Sequence, residues 1–168
     1  RCISLIQSNY TGFGSGVVIP GWGVAMQNRG ACSHLADGHP NQVGPDKRPY
    51  HTIIPAMATP TDPAAPAEDG LMAFGVMGGF MQPQGHLQVL SRVRDFGQNP
   101  QAALDASRFQ WMSGLNVSLE PGFDPAVYEV LAQRGHRVKR AENRSVSFGR
   151  GQAIHAIKDG WCAGSDLR

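Results

Sequence analysis

Leu71-Met72-Ala73-Phe74-Gly75-Val76-Met77, closed by Gly78-Gly79, is the stretch on which the fold turns. It is a short, nearly unbroken apolar run bounded by glycine, which reads as a buried strand. Upstream of it the chain carries only strand and turn signals. Ile3, Leu5 and Ile6 mark a buried strand over Cys2 to Ser8; Val17-Val18-Ile19 is a short strand stopped by Pro20-Gly21, and Gly23 to Met26 is another. Cys32 to Pro49 is a long polar loop, of a length that in a compact domain is functional or disordered. Thr52 to Ala58 is apolar again, and Thr59 to Asp69, with Pro60, Pro63 and Pro66, is an exposed turn between strands. Downstream, helical signals take over. Leu87, Leu90, Val93 and Phe96 recur at near-helical spacing before Gly97. Asn99-Pro100 and Asp124-Pro125 each combine an N-cap residue with proline at the first helical position. The helices they open run through Leu104, and through Val127, Val130 and Leu131 to Gly135. Strands return at Asn116 to Leu119, Arg137 to Lys139 and Gln152 to Ile157, and Lys158-Asp159-Gly160 turns the chain into Trp161-Cys162-Ala163. Strands, then helices, then strands, without regular βα alternation, predict an α+β fold with a mainly antiparallel sheet, in a single domain over 1–168.

Composition narrows the function classes. At 168 residues with 41% hydrophobic side chains, the chain is too apolar for a disordered tail, yet no apolar run is long enough to span a membrane. No signal peptide is visible. Fifteen basic and thirteen acidic residues leave a net charge of +2. The densest cationic stretch, Arg134 to Arg144, lacks interleaved aromatics, which argues against a nucleic-acid surface. Cys2, Cys32 and Cys162 are widely spaced and the histidines scattered, so neither a disulfide framework nor a metal site is expected, and no cofactor is implied.

Several segments carry chemistry only ambiguously when taken singly. Gly12-Phe13-Gly14-Ser15-Gly16 leads into a strand rather than the helix a phosphate-cradling loop requires, and so reads as a tight turn. Ser8 lacks the Gly-x-Ser-x-Gly setting of a nucleophile elbow, and Asp37-Gly38 and His39-Pro40 are ordinary turn pairs. Gly78-Gly79, between strand and helix, is either a plain turn or a pair of unobstructed amides able to hold a developing oxyanion. Lys47-Arg48-Pro49-Tyr50-His51-Thr52 places hydroxyl and imidazole groups where an anionic substrate group can be held.

In combination these segments say more. Phe13 to Gly16, Gln27-Asn28-Arg29-Gly30-Ala31, Gly38-His39-Pro40-Asn41, Lys47 to Pro55, Gly78-Gly79, Pro100 to Phe109 and Ala163-Gly164-Ser165-Asp166 before Arg168 follow one another along essentially the whole chain. In that order they resemble the small subunit of the γ-glutamyltranspeptidase family. The resemblance implies an N-terminal-nucleophile hydrolase, this chain forming the small-subunit part of an αββα sandwich. It also implies a self-cleaving precursor whose new N-terminal threonine, activated by its own α-amine, attacks a γ-glutamyl amide and forms an acyl-enzyme. Water then gives hydrolysis and an amine gives transpeptidation; glutathione is the usual donor.

Residue by residue, Gly78 and Gly79 match the oxyanion-hole pair. Ser8 matches a threonine that supports the nucleophile, and Tyr10 an asparagine near the substrate amine. Arg29 matches a glutamine that contacts substrate, Cys32 an aspartate that binds the α-ammonium, and His51 and Thr52 two serines that hold the α-carboxylate. The match places the nucleophilic threonine upstream of Arg1, so a small subunit truncated at its N-terminus and inactive alone is expected. The implied partners are the large subunit of the same precursor and a small γ-glutamyl substrate. Without that subunit, self-association into a homo-oligomer is expected. Cys32 and Arg29 depart from the pattern in the direction of glutaryl-type cephalosporin acylases, whose substrates lack the α-amine; a non-catalytic self-associating domain is the remaining alternative. Whether the compartment is periplasmic or cytoplasmic is not legible.

Overall fold

The structure is a computed structural model and describes residues 2–168. It divides into two compact units, Leu5–Ile53 and residues 2–4 with Ile54–Arg168.

The first unit is loop-rich. Its regular elements are β1 (Val18–Ile19) and β2 (Val24–Ala25), an antiparallel pair, and a 3-10 turn at Arg29–Cys32. The glycine-rich turn predicted before β1 is present, with Gly12, Gly14 and Gly16 all at positive φ. The expected strand over Cys2 to Ser8 is not. Those residues carry no regular structure, and Ile3 and Leu5 are 79% and 85% exposed. An apolar alternation forms a strand only where a neighbouring backbone completes its ladder. Here the contact is a side-chain one, the Ser4 hydroxyl donating to the Phe74 carbonyl at 3.3 Å.

The second unit holds the core. β3 (Ala56–Ala58), β4 (Met72–Met77), β8 (Arg150–Ile157) and β9 (Gly160–Ser165) form an antiparallel sheet in the order β3-β4-β8-β9. Two helices, α1 (Met81–Arg94) and α2 (Pro100–Asp105), follow β4. Met72, Phe74 and Val76 alternate along β4 toward Val89 and Val93 of α1, and with Ala103, Leu104 and Ala153 they make the hydrophobic core. A smaller sheet joins β5 (Phe109–Ser113), β6 (Asn116–Leu119) and β7 (Arg137–Arg140). β5–β6 is antiparallel, but β6–β7 is parallel, because α3 (Pro125–Gln133) supplies the crossover between them. Both predicted caps are present: Asn99 Oδ1 accepts from the Ala102 N–H at 2.9 Å, and Asp124 Oδ1 from the Ala126 N–H at 2.8 Å. No helix among the described residues is long and apolar enough to cross a membrane.

α1 begins at Met81, earlier than the Leu87 the periodicity suggests, and Leu87 and Phe96 are exposed rather than packed. Two apparent helix breakers hide the true start. Pro83 falls in the first turn, where a missing N–H costs no hydrogen bond. Gly85 is there for contact: a Cβ would lie 2.6 Å from Val76 Cγ1, so only glycine lets the helix lie this close on β4. The buried stripe also contains Gln82, His86 and Gln88. Gln84 and Gln88 bind the backbone of β5: Gln88 holds the N–H and carbonyl of Phe109 at 3.0 and 2.9 Å, and Gln84 those of Trp111 at 2.6 and 3.2 Å. Glutamine amides thus complete one edge of β5, a strand the sequence reading did not mark.

Candidate active site

In the loop-rich unit, asparagine chemistry brings distant segments together. Asn28 Oδ1 accepts from the Thr11 N–H at 3.2 Å, its Nδ2 donates to the Thr11 hydroxyl, and its own N–H donates to the Asn9 carbonyl at 3.2 Å. Arg29, the next residue, is thereby set against Ser8. Its Nη2 donates to the Ser8 hydroxyl at 2.6 Å and the Ser8 carbonyl at 2.8 Å, while its Nε donates to Thr52 Oγ1 at 2.6 Å. The Ser8 hydroxyl also accepts from the Tyr10 N–H at 3.4 Å. With donors on both lone pairs, that hydroxyl is left to donate its own proton. Tyr10 has φ +78, an unfavourable conformation for a non-glycine residue of the kind that concentrates at functional sites. Its phenol is pushed above its ordinary pKa, chiefly by a hydrogen bond with the Cys32 side chain and further by that side chain's electrostatic influence. Ser8, Tyr10, Arg29, Cys32 and Thr52 are therefore linked within this unit. His51 is exposed and is not among the partners of Arg29. Lys47, Arg48 and Tyr50 line an open cleft of about 250 Å³ with Gln27 and Gly30.

In the other unit, Gly78 and Gly79 join β4 to α1 at φ +139 and +59. Their carbonyls accept from the Met81 and Gln82 N–H groups, each at 3.0 Å, so both form the first turn of the helix. A trans peptide points its N–H opposite its carbonyl, so the Gly79 N–H faces away from the Met81 bond. A Cβ on Gly78 would lie 3.1 Å from Gly149 Cα, and one on Gly149 2.6 Å from Val76 Cγ1 and 2.8 Å from the Met77 carbonyl. This corner closes only with glycines.

A buried ionic network was missed by sequence reasoning. Arg108 and Glu120 are fully buried and Asp166 nearly so. Arg108 pairs with Asp166 at 2.7 Å, and Arg168 pairs with Asp166 at 2.9 Å and Glu120 at 2.5 Å. Arg108 Nη1 also donates to the carbonyls of Phe148 and Gly149, at 3.1 and 2.9 Å, which ties the network to the glycine corner. Burial alone would raise the Asp166 carboxyl. The Arg168 N–H, the Arg108 charge and the Gly151 N–H outweigh it and hold the group below its usual range. Burial and the neighbouring Arg168 lower Arg108. Burial opposes the charge on Arg168 as well, but the hydrogen bonds to Glu120 and Asp166 raise it overall. The only sequence signal was the placement of Arg108 and Asp166 in segments already quoted for the resemblance.

The profile of the family described as Gamma-glutamyltranspeptidase matches residues 1–168. The chain belongs to that family. It is 36% identical to the Oxamate amidohydrolase proenzyme of Klebsiella pneumoniae over 97% of its own length and 31% of the relative's. To the Glutathione hydrolase-like YwrD proenzyme of Bacillus subtilis it is 31% identical, over 98% and 31%. It therefore spans about a third of the length of these curated relatives, both of them proenzymes. The cephalosporin acylase of Bacillus halodurans superposes with a TM-score of 0.84 at 49% identity, covering 96% of this chain and 29% of that one. The α+β fold is the N-terminal-nucleophile hydrolase fold that solved γ-glutamyltranspeptidases share with it.

Proposed function

We propose that the protein containing this chain is an autoprocessed amide acyltransferase and hydrolase acting on γ-glutamyl amides such as glutathione, with this chain in its small subunit beside a large subunit. The observation that carries the reading is the Arg29 cluster, in which residues from three separate segments, Ser8, Arg29 and Thr52, share hydrogen bonds. These are residues that the family pattern puts around the donor.

The N-terminal threonine hydroxyl, its proton taken by the α-amine, adds to the amide carbonyl. The Gly78 and Gly79 amides hold the resulting oxyanion, worth about 10²–10³ in rate per donor. Collapse expels the amine and leaves an acyl ester, which water or an acceptor amine resolves. Ser8 donates its hydroxyl proton toward the nucleophile. Thr52, with His51, holds the donor's distal carboxylate, and Tyr10 and Cys32 line the place of its α-substituent.

A second reading, a glutaryl-type acyl donor, is favoured by the chemistry at that last position. Cys32 offers no carboxylate to an ammonium, its partner is the Tyr10 phenol, and Arg29 places a cation close by. The likeness to a cephalosporin acylase supports this reading. Turnover of a chromogenic γ-glutamyl anilide by the full-length protein tests the acyl-transfer assignment. Activity that disappears when the N-terminal threonine is replaced is expected; a processed protein that turns over neither γ-glutamyl nor glutaryl anilides would refute it.

A further inference from the structure

Gln82 and His86 sit one helical turn apart on the buried face of α1, at 4% and 9% exposure. Burying two polar side chains against a sheet is costly unless they satisfy something specific. They do so at two backbone sites. Gln82 Oε1 accepts from the Ile54 N–H at 3.2 Å, and His86 Nε2 meets the Ile54 carbonyl at 2.9 Å. Ile54 lies before β3 begins, so these side chains replace the strand neighbour it lacks. Gln82 Nε2 also donates to the Gly79 carbonyl at 3.3 Å. The His86 ring completes the unit, with Nδ1 facing the Gln82 carbonyl and its plane tilted on Phe74 at 5.3 Å. A single glutamine amide thus bonds both the glycine turn and Ile54.

We propose that Gln82 and His86 are positioning residues for acyl transfer: they clamp Ile54 and the Gly79 carbonyl to one another and so fix the backbone of Gly79, whose own N–H, on the other side of its Cα, is an oxyanion amide. The inference rests on the acyl-transfer reading above. Neither residue touches the reacting atoms; both act through the glycine turn. Small misplacements of a catalytic dipole are expensive, on the order of a hundredfold for 1 Å.

The test uses the full-length protein carrying Gln82→Leu, His86→Leu and the pair together. Expected is a kcat about ten- to a hundredfold lower, with KM for the donor changed by less than about threefold, because the lost interaction serves the transition state. The double variant should cost no more than the worse single one, since the two side chains clamp as a unit. Gln88→Leu, on the same helix but bound to β5, serves as control: it should lower stability and leave kcat in place. In parallel, amide exchange at Ile54 should accelerate at least about tenfold in Gln82→Leu. If Gln82→Leu does not mature, Gln82→Glu decides the matter: it keeps the acceptor for Ile54, loses the donor to Gly79, and should still lower kcat. Unchanged kcat in Gln82→Glu, or unchanged Ile54 exchange in Gln82→Leu, would overturn the proposal. The exchange arm reads the clamp in the unprocessed precursor as well. A wild type inactive on every donor therefore counts against the acyl-transfer assignment and leaves the exchange result to decide the clamp.

Discussion

Asp166→Asn tests whether the buried ionic network holds the glycine corner. The carboxylate accepts from Arg108 Nη2 at 2.7 Å, Arg168 Nη1 at 2.9 Å, the Gly151 N–H at 2.9 Å and the Arg168 N–H at 3.0 Å, in a site 8% exposed. Asparagine has the same shape but turns one acceptor into a donor that faces other donors, and it removes the charge. Arg168 keeps its pair with Glu120, while the Arg108 guanidinium loses its carboxylate partner. Removing one partner of a buried pair costs about 3–5 kcal/mol. At roughly 2–4 °C per kcal/mol for a chain of this size, the melting temperature should fall by roughly 6–20 °C. The acid dependence has a definite sign. The folded-state carboxyl lies below its ordinary value, so its contribution is present above about pH 4 and lost as pH falls through the lower folded value. The gap between wild type and variant should therefore be widest near neutrality and narrow in acid. Thermal melts followed by circular dichroism from neutral to acid pH supply the measurement. A variant within about 1 kcal/mol of wild type at neutral pH, or a gap that stays constant in acid, would show that the Asp166 charge does not hold the network.

Gly149→Ala should destabilise by about 1–3 kcal/mol through overpacking against Val76 and the Met77 carbonyl, more with the positive-φ strain, and urea unfolding reads it. Cys32→Ala should bring the Tyr10 phenol back toward its ordinary pKa, visible as an earlier tyrosinate titration in a background with Tyr50 and Tyr128 replaced by Phe. Met57, Ile154 and Trp161 leave apolar area exposed on the β3-β4-β8-β9 sheet, so this chain by itself should self-associate. Sedimentation showing a clean monomer at high micromolar concentration would contradict that.

Local chemistry was legible in the sequence wherever it is enforced locally. Asn99-Pro100 and Asp124-Pro125 announce α2 and α3 because a cap side chain and a proline act within one turn. β4 was legible because its apolar run is buried on both flanks by β3 and β8. The start of α1 was not, since Pro83 and Gly85 look like breakers until Val76 is seen beneath the helix. The Cys2 to Ser8 segment failed for the opposite reason: its alternation is strand-like, but a strand is a property of a pair. At the site, the motifs named Ser8, Arg29 and Thr52 separately. That the Arg29 guanidinium bonds both Ser8 and Thr52 depends on the Asn28–Thr11 contact, which no spacing encodes. The Arg108–Asp166–Arg168–Glu120 network was invisible for the same reason, its members being scattered along the chain and joined only by the fold.

The proposed role of the Arg29 cluster and Cys32, lining the donor's acyl group, is tested by the ratio of kcat/KM for γ-glutamyl and glutaryl anilides in the full-length protein, before and after Cys32→Asp. A charge-assisted contact to the donor's ammonium is worth about 1.5–3 kcal/mol, or roughly ten- to a hundredfold. Cys32→Asp should move the ratio toward γ-glutamyl by that factor, whichever donor the wild type prefers. A folded, processed and active Cys32→Asp protein whose ratio is unmoved would place the donor's amine elsewhere and contradict the assignment.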